Sequence, residues 1–80
     1  MWQVYVLEAQ NGSLYTGITT NIDRRIQQHQ AGTGARFTRG FGVKNVVYSE
    51  PCGSRSEALK REAAIKKLSR TEKLSFIYDE

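Results

Sequence analysis

One strand and the helix after it carry three chemically capable side chains toward one neighbourhood. The stretch Tyr15-Thr-Gly-Ile-Thr-Thr-Asn-Ile-Asp-Arg-Arg-Ile-Gln-Gln-His29 begins with strand alternation: Leu14, Thr16 and Ile18 face one way, Tyr15, Gly17 and Thr19 the other. Thr20 or Asn21 can cap a helix, and Asp23 sits in its first turn, where the dipole favours a negative charge. On that helix Ile22, Ile26 and His29 share a face, with Arg25 at its edge one turn before His29 and Arg24 pointing to solvent. A fourth residue is out of place. On a later helix Ala58, Leu59, Ile65 and Leu68 form the apolar stripe, and Glu62 falls inside it. A carboxylate there costs several kcal/mol unless it is paired or binds a cation. Two readings stay open: a salt bridge, with Arg25 one available partner, or a metal-binding or catalytic group.

The partner suggested by the charge is an anion. Twelve Lys and Arg against eight Asp and Glu leave a net charge of +4, and nucleic acid is the leading candidate. The segment Gly32-Thr-Gly-Ala-Arg-Phe-Thr-Arg-Gly-Phe-Gly42 fits this, because its four glycines forbid a long regular element. It interleaves Arg36, Phe37, Arg39 and Phe41, charges to grip a backbone and rings to stack on bases. Lys44 follows as a further candidate phosphate contact. The ordinary alternative is a loop whose phenylalanines close over a small core.

The elements that must position these groups can be read in order. Residues 1–9 form a strand with Val4 and Val6 on one face and Tyr5 and Leu7 on the other, and Asn11-Gly12 marks a hairpin. A two- or four-residue loop would leave Tyr5 and Tyr15 on opposite faces, and a three-residue loop with a glycine bulge would bring them together. If both serve one site, the odd-length loop is required. A first helix spans 21 to about 31, and a third strand runs from Val43 to Glu50 and is ended by Pro51-Cys52-Gly53. Ser54-Arg-Ser-Glu57 and Ser69-Arg-Thr-Glu72 are capping boxes that open two more helices, the first stopping near Leu68. Leu74, Ile77 and Tyr78 give the last helix its docking face.

The expected architecture is therefore α+β, in the order β-β-α-β-α-α, as a single domain over residues 1–80. A chain of this size buries only about 60% of its unfolded surface, so the core must be thin. Hydrophobic residues make up 39% of the chain, too many for disorder. No apolar run approaches a membrane span, the N-terminus does not read as a signal peptide, and Cys52 is a lone cysteine. These features lead us to expect a cytoplasmic protein without a membrane partner.

Taken together and in order, these residues resemble the GIY-YIG nuclease superfamily, and within it the small single-domain bacterial branch, the UPF0213 or YhbQ-like group. The two tripeptides that give the family its name stand here as Gln3-Val4-Tyr5 and Tyr15-Thr16-Gly17. Gln3 replaces the usual glycine, and Thr16 replaces isoleucine or valine. Arg25 follows Tyr15 by ten residues, where the family carries its arginine, and His29 follows a turn later. Glu62, within Ala58-Leu-Lys-Arg-Glu-Ala-Ala-Ile-Lys-Lys67, stands at the family's metal-binding glutamate.

The resemblance implies a three-stranded antiparallel sheet flanked by helices. It also implies phosphodiester hydrolysis with one divalent metal, Mg²⁺ or Mn²⁺, held by Glu62. Tyr5 is then the first choice for the base that takes a proton from water and Tyr15 the second. A phenol with a pKa of about 10 needs a nearby cation to act near neutral pH. Arg25 would supply that field and balance the charge growing on the phosphate, and His29 would pass a proton or bind the scissile phosphate. The implied partner is DNA, with RNA a second candidate, and the implied state a monomer or weak homodimer. Each residue alone has a plainer explanation: tyrosines that pack across strands, a packing histidine, a surface arginine. The competing function is a nucleic-acid-binding module of the same fold without useful catalysis.

Overall fold

The computed structural model describes residues 1–10, 12–30 and 43–78. Three strands and three helices follow one another: β1 (Trp2–Ala9), β2 (Leu14–Thr19), α1 (Ile22–Gln30), β3 (Val43–Cys52), α2 (Arg55–Lys66) and α3 (Arg70–Tyr78). The sheet is antiparallel with β1 in the middle, in the order β2-β1-β3. This is the three-stranded α+β arrangement expected from the sequence.

The alternation of β1 divides the core between the two faces of the sheet. Val4 and Val6 pack with Ile65 of α2, and Leu14, Ile18, Tyr48, Phe76 and Ile77 close around them. Tyr5 and Leu7 point the other way, against Ile22 and Ile26 of α1 and Val46 of β3. Helices α2 and α3 thus cover one face and α1 the other. Opposite Val6 and Leu7 the partner residues are Tyr48 and Val46, so Val47 is an extra residue in β3, and a second shift follows between Glu8 and Ala9. The first bulge keeps Tyr48 on the α2 face and Val46 on the α1 face.

Several local expectations change. β3 continues through Pro51 and Cys52 instead of stopping at Glu50. Pro51 pairs with Gln3 at the outer edge of the sheet, where a residue without an N–H is tolerated. Leu59, placed on the apolar stripe of α2, is 38% exposed; only Ala58 and Ile65 of that helix are buried. On α3, Tyr78 is exposed and Phe76 takes the docking role, its ring 4.7 Å from that of Tyr48. Arg61 lies over the same phenylalanine ring and donates its Nε–H to Glu50 at 3.0 Å, and the Tyr48 hydroxyl donates to the same carboxylate oxygen. Burial pushes the Glu50 carboxyl up, but these two hydrogen bonds and the Arg61 charge together hold it below the usual carboxylate range.

Both capping boxes form, with one difference. At α3 the exchange is reciprocal: Glu72 N–H donates to Ser69 Oγ, and Ser69 N–H donates to Glu72 Oε1. At α2 Glu57 N–H donates to Ser54 Oγ, while the Glu57 carboxylate accepts from Gly53, one residue before the cap. Among the described residues no helix is long and apolar enough to cross a membrane.

Candidate active site

Hairpin register decides whether the two phenols can meet, and the turn decides the register. Ala9 N–H donates to Ser13 O at 2.8 Å and Gly12 N–H to Ala9 O at 2.9 Å, so three residues connect the paired strands. Gly12 takes φ +85°, a value that L side chains rarely adopt, and absorbs the odd residue. As a result Tyr5 lies opposite Gly17 and Leu7 opposite Tyr15, which puts both tyrosines on the α1 face. Their ring centroids are 6.3 Å apart, tilted by 46°.

Gly17 is the floor on which these rings rest. A Cβ at this position would stand 2.7 Å from the Tyr5 hydroxyl oxygen, 2.9 Å from its Cζ and 3.1 Å from Tyr15 Cε1. The Tyr5 side chain therefore leaves the central strand and lies flat across β2, over a residue that must have no side chain. The sequence carried a signal for this, since a glycine inside a strand marks a close approach.

Arg25 is set in place by the corner between β2 and α1. Thr19 Oγ1 both donates to Asn21 O and accepts from Asn21 N–H, and Asn21 Oδ1 accepts from Arg24 N–H at 3.0 Å. Asn21 is thus the cap, and the first turn starts with a fixed rotation. Ile22 and Ile26 then anchor α1 on Tyr5 and Leu7, which turns Arg25 inward. Its Nε is buried and has no hydrogen-bond partner. A buried donor left unpaired costs about 1–3 kcal/mol, so this atom is open to an acceptor that no described residue supplies. Beside it lies a cleft of about 280 Å³ lined by Thr19, Thr20, Asn21, Arg24, Arg25 and Gln28.

Glu62 comes from the opposite direction. Helix α2 covers the other face of the sheet, alongside β1 and β2, yet the Glu62 carboxylate still acts electrostatically on the Tyr5 phenol. Glu62 is 19% exposed, and its ion-pair partner is Lys66, one turn along α2 at 3.5 Å. The salt bridge is thus made within α2, with Lys66 in the role for which Arg25 was a sequence candidate.

Four influences converge on the Tyr5 phenol. Burial is the largest and raises its pKa; Tyr15 raises it further, Arg25 lowers it and Glu62 raises it again. The balance lies well above the ordinary value of 10.0, and Tyr5 is only 2% exposed. The folded protein therefore prefers the neutral phenol. That contribution to stability is complete below the unfolded pKa and drains as pH rises past about 10. Urea unfolding of the wild type should weaken between about pH 9 and 11, and Tyr5→Phe should flatten part of that decline. An unchanged slope in the variant would place the titrating group elsewhere.

The remaining sequence candidates sit as follows. His29 is in α1, four residues beyond Arg25, but its side chain lies outside the described residues. So do Arg36, Phe37 and Arg39. Lys44 belongs to β3, and its side chain is likewise outside the description. Sequence reasoning missed the Thr19 corner and the Lys66 pair. For a metal, the donor set is one hard carboxylate, Glu62. Among the described residues no group of three His, Cys, Asp or Glu could cage an ion. One carboxylate beside an anion-seeking arginine suits a hard divalent cation that keeps water and phosphate oxygens as its other ligands.

The sheet thus carries both tyrosines on one face, with Arg25 on the helix that covers that face and Glu62 on the helix that covers the other. The chain belongs to the GIY-YIG family: residues 1–75 match the model of the GIY-YIG catalytic domain. It is similar to a UPF0213 protein of Sodalis glossinidius, with 44% identity over 96% of this chain and 72% of that one. A UPF0213 protein of Desulfotalea psychrophila is 52% identical over 95% of this chain and 70% of its own length. The solution NMR structure of a UPF0213 protein from Bacillus halodurans superposes with a TM-score of 0.61 at 44% identity, covering 96% of this chain and 83% of that one. Membership in this family points to nucleic acid as the substrate.

Proposed function

We propose that the protein is a metal-dependent endonuclease that hydrolyses DNA phosphodiester bonds in the cytoplasm, in repair or recombination. The observation that carries this reading is the single phenol, Tyr5, on which Tyr15, Arg25 and Glu62 all act. Packing alone gives no reason to bring a second phenol, a buried guanidinium and a carboxylate within electrostatic reach of one phenol.

In this reading the orphaned Arg25 Nε donates to a phosphate oxygen and balances the charge that grows as water attacks phosphorus. Mg²⁺ or Mn²⁺ on Glu62, when bound, supplies Lewis acidity to the phosphate and positive charge beside the phenols. Lys66, half exposed at 54%, swings out to solvent and frees the carboxylate. Tyr5 keeps its proton in the metal-free protein. A cation held by Glu62 would offset that carboxylate's charge, so that with the Arg25 field the Tyr5 phenol would release its proton to solvent more readily, and the phenolate would then take a proton from the attacking water. Tyr15 orients the water and holds its neighbour's ring. The water oxygen forms the new bond to phosphorus as the bond to the sugar oxygen breaks, and that oxygen takes a proton from His29 or solvent.

One observation favours the alternative, a module that binds without cutting: Tyr5 is closed from solvent in the free protein. Incubation with supercoiled, single-stranded and branched DNA separates the two. The expected result is nicking that requires Mg²⁺ or Mn²⁺, stops with chelator and is lost in Glu62→Ala. Salt-sensitive binding without cleavage supports the module. Cleavage unchanged by Glu62→Ala would belong to a contaminant.

A further inference from the structure

A second basic cleft lies at the opposite end of β2 from the first. It has a volume of about 140 Å³ and is lined by Ser13, Leu14, Arg70 and Lys73. Arg70 also stands over the hairpin, its guanidinium 3.9 Å from where a Cβ on Gly12 would be. Neither cation has an ion pair among the described residues. Helix stability does not explain them. Arg70 is the first residue of α3 and Lys73 lies one turn on, at the helix end whose dipole disfavours positive charge. No carboxylate lines either cleft among the described residues.

The two clefts mark the ends of one strand. Leu14 opens β2 and touches the second cleft; Thr19 closes β2 and touches the first, with Arg24 beside it. Between them, over Gly17, lie Tyr5 and Tyr15. β2 has no further strand on its outer side among the described residues. Five residue steps of strand span roughly 17 Å, which corresponds to about five nucleotides of one B-form strand at 3.4 Å each.

We infer that one strand of the nucleic acid runs along the outer edge of β2, its phosphates held by Arg70 and Lys73 at the hairpin end and by Arg24 at the α1 end, with the phosphate to be cut between them. This rests on the proposed nuclease reading and adds to it the direction of the substrate and a footprint of about five nucleotides. Binding at the hairpin end is separable from chemistry, because Arg70 and Lys73 belong to α3, whereas Tyr5, Tyr15, Arg25 and Glu62 lie on β1, β2, α1 and α2.

The test compares wild type with Arg70→Ala/Lys73→Ala, using fluorescent DNA duplexes of about 4 to 12 base pairs. Chelator suppresses cleavage while affinity is followed over a salt series. The double variant is expected to bind the longer duplexes about tenfold or more weakly, and its plot of log affinity against log salt should be shallower by about 1–2. Wild type should gain affinity as the duplex outgrows about five base pairs, and the variant should lose that gain. With metal restored, the variant's KM for DNA should rise in step with its weaker binding, by about tenfold or more. Lys73→Glu, which reverses one charge, should weaken binding further and guards against a folding artefact in the double variant. An unchanged salt slope with cleavage intact would overturn the track and leave the nuclease reading standing. Loss of affinity for anionic phosphatidylglycerol vesicles, with DNA binding unaltered, would assign the cations to a membrane and overturn it as well. Failure of wild type both to bind and to cut DNA would remove the nuclease reading, and the track with it.

Discussion

Arg25→Met should cut DNA about a hundredfold to a thousandfold more slowly than wild type and unfold no more easily. The two halves of that result have one cause. The Arg25 Nε is buried without an acceptor among the described residues, and in the proposed mechanism its partner is a phosphate oxygen of the substrate. Methionine is similar in length, unbranched and apolar, and can fill the same channel without an orphaned N–H. Thermal or urea midpoints should therefore stay level or rise, by up to about 1 kcal/mol in stability. Cleavage should collapse because the charge on the attacked phosphate loses its counterpart and the Tyr5 phenol loses its one lowering influence among those acting on it. Arg25→Lys should fall between the two, keeping a charge but not the planar fork. A methionine variant that cuts at the wild-type rate removes Arg25 from the mechanism. One that unfolds shows instead that the guanidinium is a structural group.

Gly17→Ala is the second large effect, and it acts through space alone. The new methyl would stand 2.7 Å from the Tyr5 oxygen and 2.9 Å from its Cζ, with Tyr15 Cε1 at 3.1 Å. Neither ring can stay where it is. Tyr5 cannot swing freely either, because it is buried against Ile22, Ile26 and Leu7. Overpacking of this kind costs about 1–3 kcal/mol, and a displacement of about 1 Å at reacting groups can cost a hundredfold in rate. Tyr5→Phe in the same chain removes the oxygen clash but not the Cζ clash, so stability should recover only in part and cleavage not at all. An alanine variant with wild-type stability and rate would mean that the rings are not packed over Gly17 in solution.

Much of this architecture was legible in the residues, for reasons that can be named. Strand faces followed from strict alternation, as Val4 and Val6 against Tyr5 and Leu7 show. Helix starts followed from side-chain caps at Asn21, Ser54 and Ser69, each of which makes its expected bond. The hairpin register was not legible, because two- and three-residue loops around Asn11-Gly12 differ only in a backbone angle that glycine adopts freely. Helix rotation was harder still. Leu59 is exposed and Phe76 docks where Tyr78 was expected, because an electrostatic and aromatic cluster, Glu50, Arg61, Tyr48 and Phe76, fixes how α2 and α3 sit, and apolar periodicity does not register such contacts. For the candidate site, the residue types and their order were readable. The Lys66 pair and the Gly17 floor depend on distances that only the folded chain defines.

Pro51 has a bearing on self-association. It sits in β3, the sheet's other margin, and that strand also carries two bulges. A margin with a missing donor and an irregular ladder is a poor template for another copy to zip onto. Any homodimer built by continuing the sheet would have to form at the β2 margin, over the phenols. On the proposed reading, two such copies would cover each other's substrate track, so self-association of that type would switch the protein off rather than equip it to sever both strands of a duplex.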